Sequence, residues 1–300
     1  MTFKPAKALW TAAMVLLCGA WAAAQAAAPA GGYHSPQAMR ELMRRVSENE
    51  VKADDDRERL AYRMRDETPQ ETTVRAFVET KDGLTLGRTL LVNGAPPNRA
   101  RQQKDEARLQ KLLSDPSAVA DKRKAQQRDA QRIRTMMKAL PDAFTFQYEG
   151  TEAGGTGQLI RVKFQPDPNF NPPNRETQIF GGMQGTMWID AKEERVEHID
   201  ARLVRDVNFG WGILGRLDRG GSFDVRQRKI GDRWEIDEMT LNFTGTILMF
   251  KSFVKKEKQV YSDFRIIPEL PLAEAVAMLN KEQVESAAGN GNKKVREAQK

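Results

Sequence analysis

Residues 181–190, GGMQGTMWID, open a run of predicted antiparallel strands that continues to Ile267 and decides the fold. Five segments of alternating or apolar residues follow one another, and turn residues such as Gly220-Gly221, Gly231-Asp232 and Thr244-Gly245 separate them. Strands with turn residues at this spacing are typical of a meander in a barrel or a sandwich-like sheet. The predicted strands are Gly182–Ala191, Arg195–Val207, Ser222–Lys229, Arg233–Phe243 and Thr246–Phe264.

The last of these strands is apolar on both faces near its start. It is too long for one ordinary strand, so a bend or turn is expected near Lys255–Lys258. Residues 247–250, Ile-Leu-Met-Phe, and Phe253-Val254 put apolar side chains on both of its faces. A sheet with two apolar faces needs a second layer of structure or holds a ligand. Alternation along the strands gives the predicted ligand-lining residues, which are Met187, Ile189, Leu203, Phe223, Trp234, Leu241 and Phe250.

The start of the chain has the form of a secretory signal peptide. Lys4 and Lys7 are basic, Ala8–Ala20 is a short apolar run, and Ala24-Gln25-Ala26 matches a small-x-small cleavage site. The apolar run is shorter than a membrane-spanning helix needs, although an uncleaved anchor is the alternative. No later stretch of the sequence is long and apolar enough to span a membrane. We therefore expect an exported, periplasmic protein with a cleaved signal peptide.

Few residues that commonly carry chemistry are present. Cys18 lies inside the predicted signal, so the mature chain would have no thiol for a disulfide or a metal site. His34 and His198 are the two histidines, which makes a transition-metal site unexpected, and a lone strand histidine is more often a surface residue than a base. No P-loop, GxSxG or HExxH motif occurs. We predict no catalytic residue, no cofactor and no enzyme, although a hydrolase with two carboxylates would have no sequence signature.

The first part of the mature chain combines one helix with a hairpin. Ser35 can cap a helix that has Pro36 at its first position. Two strands, Thr72–Lys81 and Leu84–Asn93, flank Asp82-Gly83, a strong two-residue turn signal. The apolar residues of the helix recur at helical spacing and predict one buried face, formed by Met39, Leu42, Met43 and Val46.

A basic segment, Asn98–Lys138, contains twelve Lys and Arg residues against five Asp and Glu residues. It predicts two helices that are separated at Ser114-Asp115-Pro116, where Asp115 caps and Pro116 starts the second helix. One interpretation is a solvated charged face. The other is a surface for anionic lipid head groups, to which basic helices are attracted. Nucleic acid is not an expected partner, because the chain is predicted to be exported.

Two connections could be functional. Gln165–Asn174 contains four prolines and carries Phe170, so it could be a lid over a cavity or a plain connector. Asn208–Gly221 is rich in glycine and apolar residues, which is unusual for a surface turn. It could turn inward and plug one end of the sheet, or it could expose an apolar tip to a bilayer or an acyl chain. The predicted membrane-contact residues are Trp211, Ile213, Leu214, Arg216 and Arg219.

One segment resembles a known family. Gly185–Asp190, GTMWID, is followed by a charged turn and Arg195-Val196-Glu197. Because the chain also has a predicted export signal and a mostly antiparallel predicted sheet, it resembles the outer-membrane lipoprotein-sorting proteins (LolA/LolB-like) and their uncharacterised relatives. The resemblance implies a curved, incomplete barrel around helices, with an apolar concave space that holds the acyl chains of lipoproteins. It covers Ser35–Ile267 in outline and Gly185–Val207 in sequence, and no functional residue is carried over from it.

Together these features predict an α+β fold in which a strongly curved antiparallel sheet of about eleven strands, an incomplete barrel, packs on a few helices. The expected function is binding of an acyl chain or similar apolar ligand, as a lipid or lipoprotein carrier or sensor, by a monomer. The alternative is an envelope scaffold that docks an anionic membrane surface or an acidic partner through its basic insert. The predicted organisation is a signal peptide at 1–26, a flexible leader at 27–34, one half-barrel domain at 35–284 with a basic helical insert at 98–140, and a disordered tail at 285–300.

Overall fold

The structure is a computed structural model that describes Tyr33 and residues 35–52, 58–210, 214–247 and 251–298. The predicted signal peptide and the remainder of the leader lie outside the described residues. So do the predicted site residues Trp211, Ile213 and Phe250. Predictions for these residues stay predictions.

Four α-helices and one short 3-10 helix are present among the described residues. The helices are α1 (Pro36–Lys52), α2 (Arg99–Ser114), α3 (Pro116–Ala143) and α4 (Leu272–Ala298), and the 3-10 helix is η1 (Glu176–Gly182). The strands are β1 (Arg59–Glu67), β2 (Thr72–Glu79), β3 (Thr85–Val92), β4 (Phe144–Ala153), β5 (Gln158–Pro166), β6 (Met183–Asp190), β7 (Arg195–Leu203), β8 (Val207–Phe209), β9 (Gly215–Leu217), β10 (Ser222–Ile230), β11 (Arg233–Ile247) and β12 (Lys251–Ile267). None of the described helices has the length and apolar character needed to cross a membrane.

All twelve strands belong to one antiparallel sheet with the order β3-β2-β1-β12-β11-β10-β7-β6-β5-β4, while β8 and β9 form a hairpin beside β11. The end strands β3 and β4 do not pair with each other, so the sheet is open. Bulges between Ala61 and Arg63 and between Arg226 and Gln227 add local bending, as bulges do in antiparallel strands. The predicted fold class, α+β with a curved and unclosed antiparallel sheet, is confirmed, with one strand more than expected.

Two details of the predicted meander are wrong. The turn expected at Thr244-Gly245 is absent, because β11 continues to Ile247 and Gly245 pairs with Leu217 of β9. A Cβ atom at Gly245 would lie 2.1 Å from the carbonyl oxygen of Arg216, so this glycine permits close strand approach rather than a turn.

No turn interrupts β12 near Lys255–Lys258, where a bend or turn was expected. The first part of β12, Lys251–Val260, pairs with β11, and its later part, Lys258–Ile267, pairs with β1. Each part of this long strand therefore has its own partner, and the two pairings overlap by three residues at Lys258–Val260. Staggered partners explain how a 17-residue strand continues without a turn.

The predicted helices of the first half are confirmed. Ser35 accepts a hydrogen bond from the backbone N–H of Ala38 at 3.1 Å, and the predicted apolar face of α1 is buried. Asp115 lies between α2 and α3 and accepts from the N–H of Ser117 at 2.8 Å. Because α2 and α3 connect β3 to β4, the basic insert links the two edges of the open sheet.

At the C-terminus, α4 is longer than expected. Its residues Ala275, Val276 and Leu279 are buried. The helix continues to Ala298, whereas the sequence predicted a disordered tail from residue 285.

The buried apolar residues form two separate clusters. The α1–α3 core joins these helices and β4–β7, and the α2–α4 core joins α2, α4 and β1–β3. The buried members of the α1–α3 core are Met39, Leu42, Met43, Val46, Leu140, Ala143, Phe144, Ile160, Val162, Phe164, Phe180, Met187, Ile189, Val196 and Ala201. Those of the α2–α4 core are Ala61, Ala76, Val78, Leu86, Leu90, Leu109, Leu112, Ala275, Val276 and Leu279.

Candidate functional site

One face of the sheet carries two apolar rows that cross five strands, and we call it the inner face. Strand register places side chains directly opposite one another, and residues two apart share a face. The first row is Val162, Met187, Ile199, Val225 and Met239, from β5, β6, β7, β10 and β11. The second row, on the same strands, is Phe164, Gly185, Ala201, Phe223 and Leu241.

Between the inner face and α3 lies a cavity of about 210 Å³, which we call the apolar cavity. The C-terminal part of α3 forms one wall, η1 and β5–β7 form the floor, and β10 and β11 close the side. Every residue that lines it is apolar: Met136, Met137, Leu140, Phe144, Phe164, Ile179, Phe180, Met183, Met187, Ile199, Phe223 and Phe243.

The lining of the apolar cavity combines rigid and adaptable side chains. Phe144 is fully buried and packs against Phe164 and Phe180 with ring centroids 4.9 and 5.2 Å apart, which fixes the floor. Met136 and Met137 on α3 are only half-buried. Methionine is flexible and polarizable, so these side chains can adapt to ligands of different shapes.

A second space of about 370 Å³, the middle cavity, lies between the end of α1, α3 and the start of β11. Its charged residues are paired within the protein. Glu50 accepts two hydrogen bonds from the guanidinium of Arg195 at 2.9 Å, and both side chains are about nine-tenths buried. The indole N–H of Trp234 donates to Glu193 at 2.7 Å.

Arg233 also lines the middle cavity and is held by two carboxylates. Its guanidinium contacts Glu79 at 2.7 Å and Glu235 at 2.5 Å. Burial acts to lower the pKa of Arg233, but the hydrogen bonds and charges of Glu79 and Glu235 outweigh burial and raise that pKa. Arg233 therefore stays charged, and its charge is compensated where it lies.

A third space of about 680 Å³, the basic groove, lies between the turn Asp82–Thr85 and the first half of α3. Its cations are Arg59, Arg123, Lys124, Arg128 and Arg134. Among the described residues, the charged groups of Arg123, Lys124 and Arg128 form no ion pair, and all three are exposed. The groove therefore carries positive charge that the described part of the protein does not fully compensate.

The predicted ligand-lining residues fall into several positions. Met187 and Phe223 line the apolar cavity, and Trp234 lines the middle cavity. Leu241 lies on the inner face, half-buried, outside the three spaces. The remaining described candidates, Ile189 and Leu203, are almost fully buried and fill the interior instead.

Sequence reasoning missed the wall that α3 provides. Met136, Met137 and Leu140 form a recognisable apolar stripe, but the sequence does not say which part of the sheet this stripe meets. Ile133, which precedes this stripe by one helical turn, is 60% exposed and lines the middle cavity. The sequence therefore showed the apolar stripe on α3, but only the tertiary structure shows which strands this stripe meets.

The connection 208–221 is partly a strand pair rather than a loop. β8 and β9 form a short hairpin that extends the sheet beside β11. Leu214 is exposed, Arg216 pairs with Asp218 at 3.0 Å, and Arg219 is exposed. Trp211 and Ile213 lie outside the described residues, so the inward plug and the contact with a membrane both stay predictions.

The connection Gln165–Asn174 packs against the rest of the protein through its start and its middle. The N–H of Asp167 donates to the carbonyl of Ala143 at 3.0 Å, and Phe170 packs against the α1–α3 core. None of its residues lines the three spaces. These contacts favour the connector over the lid.

The described histidine, His198, and the acid whose pKa is raised, Asp66, lie outside the three spaces. His198 lies 2.9 Å from Asp224 and stacks on Trp188 at 4.3 Å, on the face opposite the inner face. Burial and the nearby charge of Glu257 raise the pKa of Asp66, but neither of these acids lines the three spaces. Within the described residues, no group of three or more His, Cys, Asp or Glu could hold a metal ion.

Two solved structures are similar to this chain. A DUF1329 family protein from Desulfovibrio piger matches at 12% identity over 81% of this chain and 97% of its own, with a TM-score of 0.30. An outer membrane lipoprotein-sorting protein domain from Vibrio parahaemolyticus matches at 11% identity over 82% and 99%, with a TM-score of 0.27. The second is described by the family that the sequence resembles. At these scores neither likeness carries an argument about function.

No protein-family model and no curated protein matches the chain.

Proposed function

We propose that this protein binds an acyl chain or a similar apolar ligand, without covalent chemistry, in the apolar cavity. The observation that carries the proposal is a space of about 210 Å³ whose lining side chains are all apolar. Such a space holds no polar partners for water, and apolar cavities of comparable size bind small hydrocarbons. The predicted signal peptide supports a role in the bacterial envelope, as a carrier or sensor of lipids or lipoproteins.

The size of the apolar cavity limits how much binding free energy this cavity can contribute by itself. A water-sized group takes roughly 30 Å³ in liquid, so 210 Å³ holds about seven methylene groups. At about 0.8 kcal/mol for each buried CH₂, they contribute about 6 kcal/mol before the cost of association. That cost is on the order of 4–15 kcal/mol, so a tightly bound ligand must extend beyond this cavity or displace its methionines.

The test is uptake of a fluorescent fatty acid, with native mass spectrometry of protein purified from a bacterial periplasm. Met136→Trp fills the cavity from α3 and is expected to reduce uptake strongly. Lys138→Trp on the same helix is exposed and lines none of the three spaces, so it should leave uptake unchanged. Consistently ligand-free protein that takes up no fatty acid would overturn the proposal.

A second candidate is a scaffold that docks an anionic membrane or an acidic partner through α2 and α3. The observation in its favour is that Arg123, Lys124 and Arg128 are exposed and form no ion pair with the described residues. This model predicts salt-sensitive flotation with anionic vesicles that Met136→Trp does not affect. Flotation that is absent at low salt would exclude docking on an anionic membrane.

A further inference from the structure

One face of α3 lines all three spaces in succession. Residues spaced by three or four positions lie above one another on a helix. Along α3 these wall residues are Arg123, Gln127, Ala130, Arg134, Met137 and Leu140. The same helical face therefore changes from cationic and polar near its start to apolar near its end.

Neighbouring spaces also share their walls. Met137 lines both the apolar cavity and the middle cavity. Ala130 and Arg134 line both the middle cavity and the basic groove. The three spaces thus form one series beneath α3, with flexible or small side chains at both boundaries.

The series has a length that suits a chain with a head group. Arg128 and Leu140 are twelve positions apart on α3, which corresponds to about 18 Å at 1.5 Å per residue. The apolar cavity accounts for only part of this distance. A chain longer than the cavity holds would continue past Met137 towards the basic groove.

The middle cavity does not compete for an anion. Two of its arginines are matched inside the protein, Arg195 by Glu50 and Arg233 by Glu79. Ile133, Val51 and Ile236 add apolar surface to the same walls. An anionic group is therefore stabilised most in the basic groove, where Arg123, Lys124 and Arg128 form no ion pair with any described residue.

From this arrangement we infer that the ligand is an amphiphile with an anionic oxygen head group, carboxylate or phosphate. Its chain end occupies the apolar cavity, its middle passes Met137, and its head lies beside Arg123, Lys124 and Arg128. This inference rests on the proposed function and adds the chemical class and the orientation of the ligand. Because the cations that contact the head group are exposed, they increase the preference for an anionic ligand more than they increase the total binding affinity.

The test compares dodecanoic acid with dodecanol as competitors for a bound fluorescent fatty acid at low salt. Wild-type protein should bind the acid on the order of tenfold more tightly than the alcohol, as three exposed charge contacts allow. The variant Arg123→Gln/Lys124→Gln/Arg128→Gln should lose this preference and still bind dodecanol. Inorganic phosphate alone should compete weakly, because it has no chain.

The matched control is Arg99→Gln/Lys104→Gln/Lys111→Gln on α2, which removes the same charge from exposed positions outside the three spaces. It should keep the preference for the acid. Equal binding of acid and alcohol by wild-type protein, or equal loss of preference in both triple variants, would overturn the inference and leave the proposed function standing. Phosphate that competes as well as the acid would also overturn it. If neither amphiphile binds, the proposed function itself fails.

Discussion

The two cores of this protein pack against the same sheet in different ways. The α2–α4 core is built from leucine, valine and alanine, and none of its residues lines any of the three spaces. The α1–α3 core contains methionine and phenylalanine at its centre, and the apolar cavity lies at its border with β10 and β11. Helices cover the sheet at both cores, so the presence of a covering helix does not by itself decide where a cavity forms.

The difference lies in the side chains that meet the sheet. Small and branched residues such as Ala275 and Val276 let α4 approach its strands closely, which leaves little room. Met136 and Met137 of α3 line the apolar cavity together with Phe223 and Phe243, so space remains between this helix and the central strands. The α2–α4 core therefore stabilises the fold, and the α1–α3 core combines stability with space for a ligand.

Leu86→Ala should have the largest effect on stability. Leu86 is fully buried in the α2–α4 core, and truncating such a leucine creates a cavity. We expect the free energy of unfolding to fall by about 2–5 kcal/mol. Urea denaturation followed by circular dichroism measures the change.

The comparison variant is Phe223→Ala at the apolar cavity. Phe223 is half-buried beside a space that already exists, so the loss should be about 1–2 kcal/mol, smaller than for Leu86→Ala. If Phe223→Ala destabilised the protein as much as Leu86→Ala, the two cores would not differ in packing as described.

Glu50→Gln, next to the α1–α3 core, should have the next largest effect on the free energy of unfolding. Glu50 joins the end of α1 to β7 through Arg195 and also accepts from the N–H of Val196 at 2.9 Å. The variant leaves the buried guanidinium of Arg195 without its counter-charge, which should cost about 2–3 kcal/mol. Urea denaturation at pH 7 gives the value.

Glu48→Gln is the matched control for this ion pair. Glu48 lies on the same helix, is mostly exposed and pairs with Lys52 at 3.8 Å. Its loss should stay within about 0.5 kcal/mol. A comparable loss in both variants would show that the tie between α1 and β7 contributes little.

The architecture followed from the sequence more closely than the site did. Alternation within β6, β7 and β10 depends on neighbouring residues, so the strands and the faces of Met187 and Phe223 could be predicted. Alternation does not tell which part of a face a helix fills. Ile189 shares the inner face but is buried in the α1–α3 core.

The basic groove could not be predicted because it joins distant segments. Arg59, the turn Asp82–Thr85 and α3 meet only when the insert crosses from one sheet edge to the other. The charge of the insert was visible in the sequence, but the segments that would share its cations were not. Gly245 was predicted to lie in a turn for a similar reason. Its role in close strand packing becomes visible only when the neighbouring strand β9 is known to lie against it.

Glu282→Gln should have a smaller effect that depends on pH. Glu282 anchors α4 through ion pairs with Arg63 and Arg265, whose side chains are 35% and 49% exposed. Burial alone would raise the pKa of Glu282, but the hydrogen bonds and charges of the two arginines lower it below its ordinary value of 4.5. A lowered pKa in the folded state gives stability that is present above pH 4.5 and is lost as the pH falls through the folded pKa.

Urea denaturation at pH 7 and at pH 3 measures this contribution. The variant should lose about 1 kcal/mol at pH 7, because the partners are partly exposed, and it should differ less from wild type at pH 3. Glu285→Gln, which removes an exposed pair with Lys281, is the control. A difference that is as large at pH 3 as at pH 7 would contradict the assigned ion pairs.

The smallest effect on stability is expected at one end of the sheet, where a membrane contact was predicted. The register places Phe209, Gly215, Ile247 and Lys251 side by side, so the β8–β9 and β11–β12 connections leave the sheet at one level. Ile247 is 44% exposed and Leu214 is 40% exposed. Because these side chains already contact water, the double variant Leu214→Asn/Ile247→Asn should change the free energy of unfolding by no more than about 0.5 kcal/mol.

Vesicle flotation separates a functional role for this end from simple exposure. If the end inserts into a bilayer, Leu214→Asn/Ile247→Asn should reduce flotation with anionic vesicles, since apolar burial and basic charge act together at membrane surfaces. Ile266→Asn removes an exposed apolar side chain near the opposite end of β12, opposite Leu60, and should not reduce flotation. Equal flotation of wild type and both variants would show that the exposed residues at this end do not touch the membrane, and the basic insert would then be the remaining surface for such a contact.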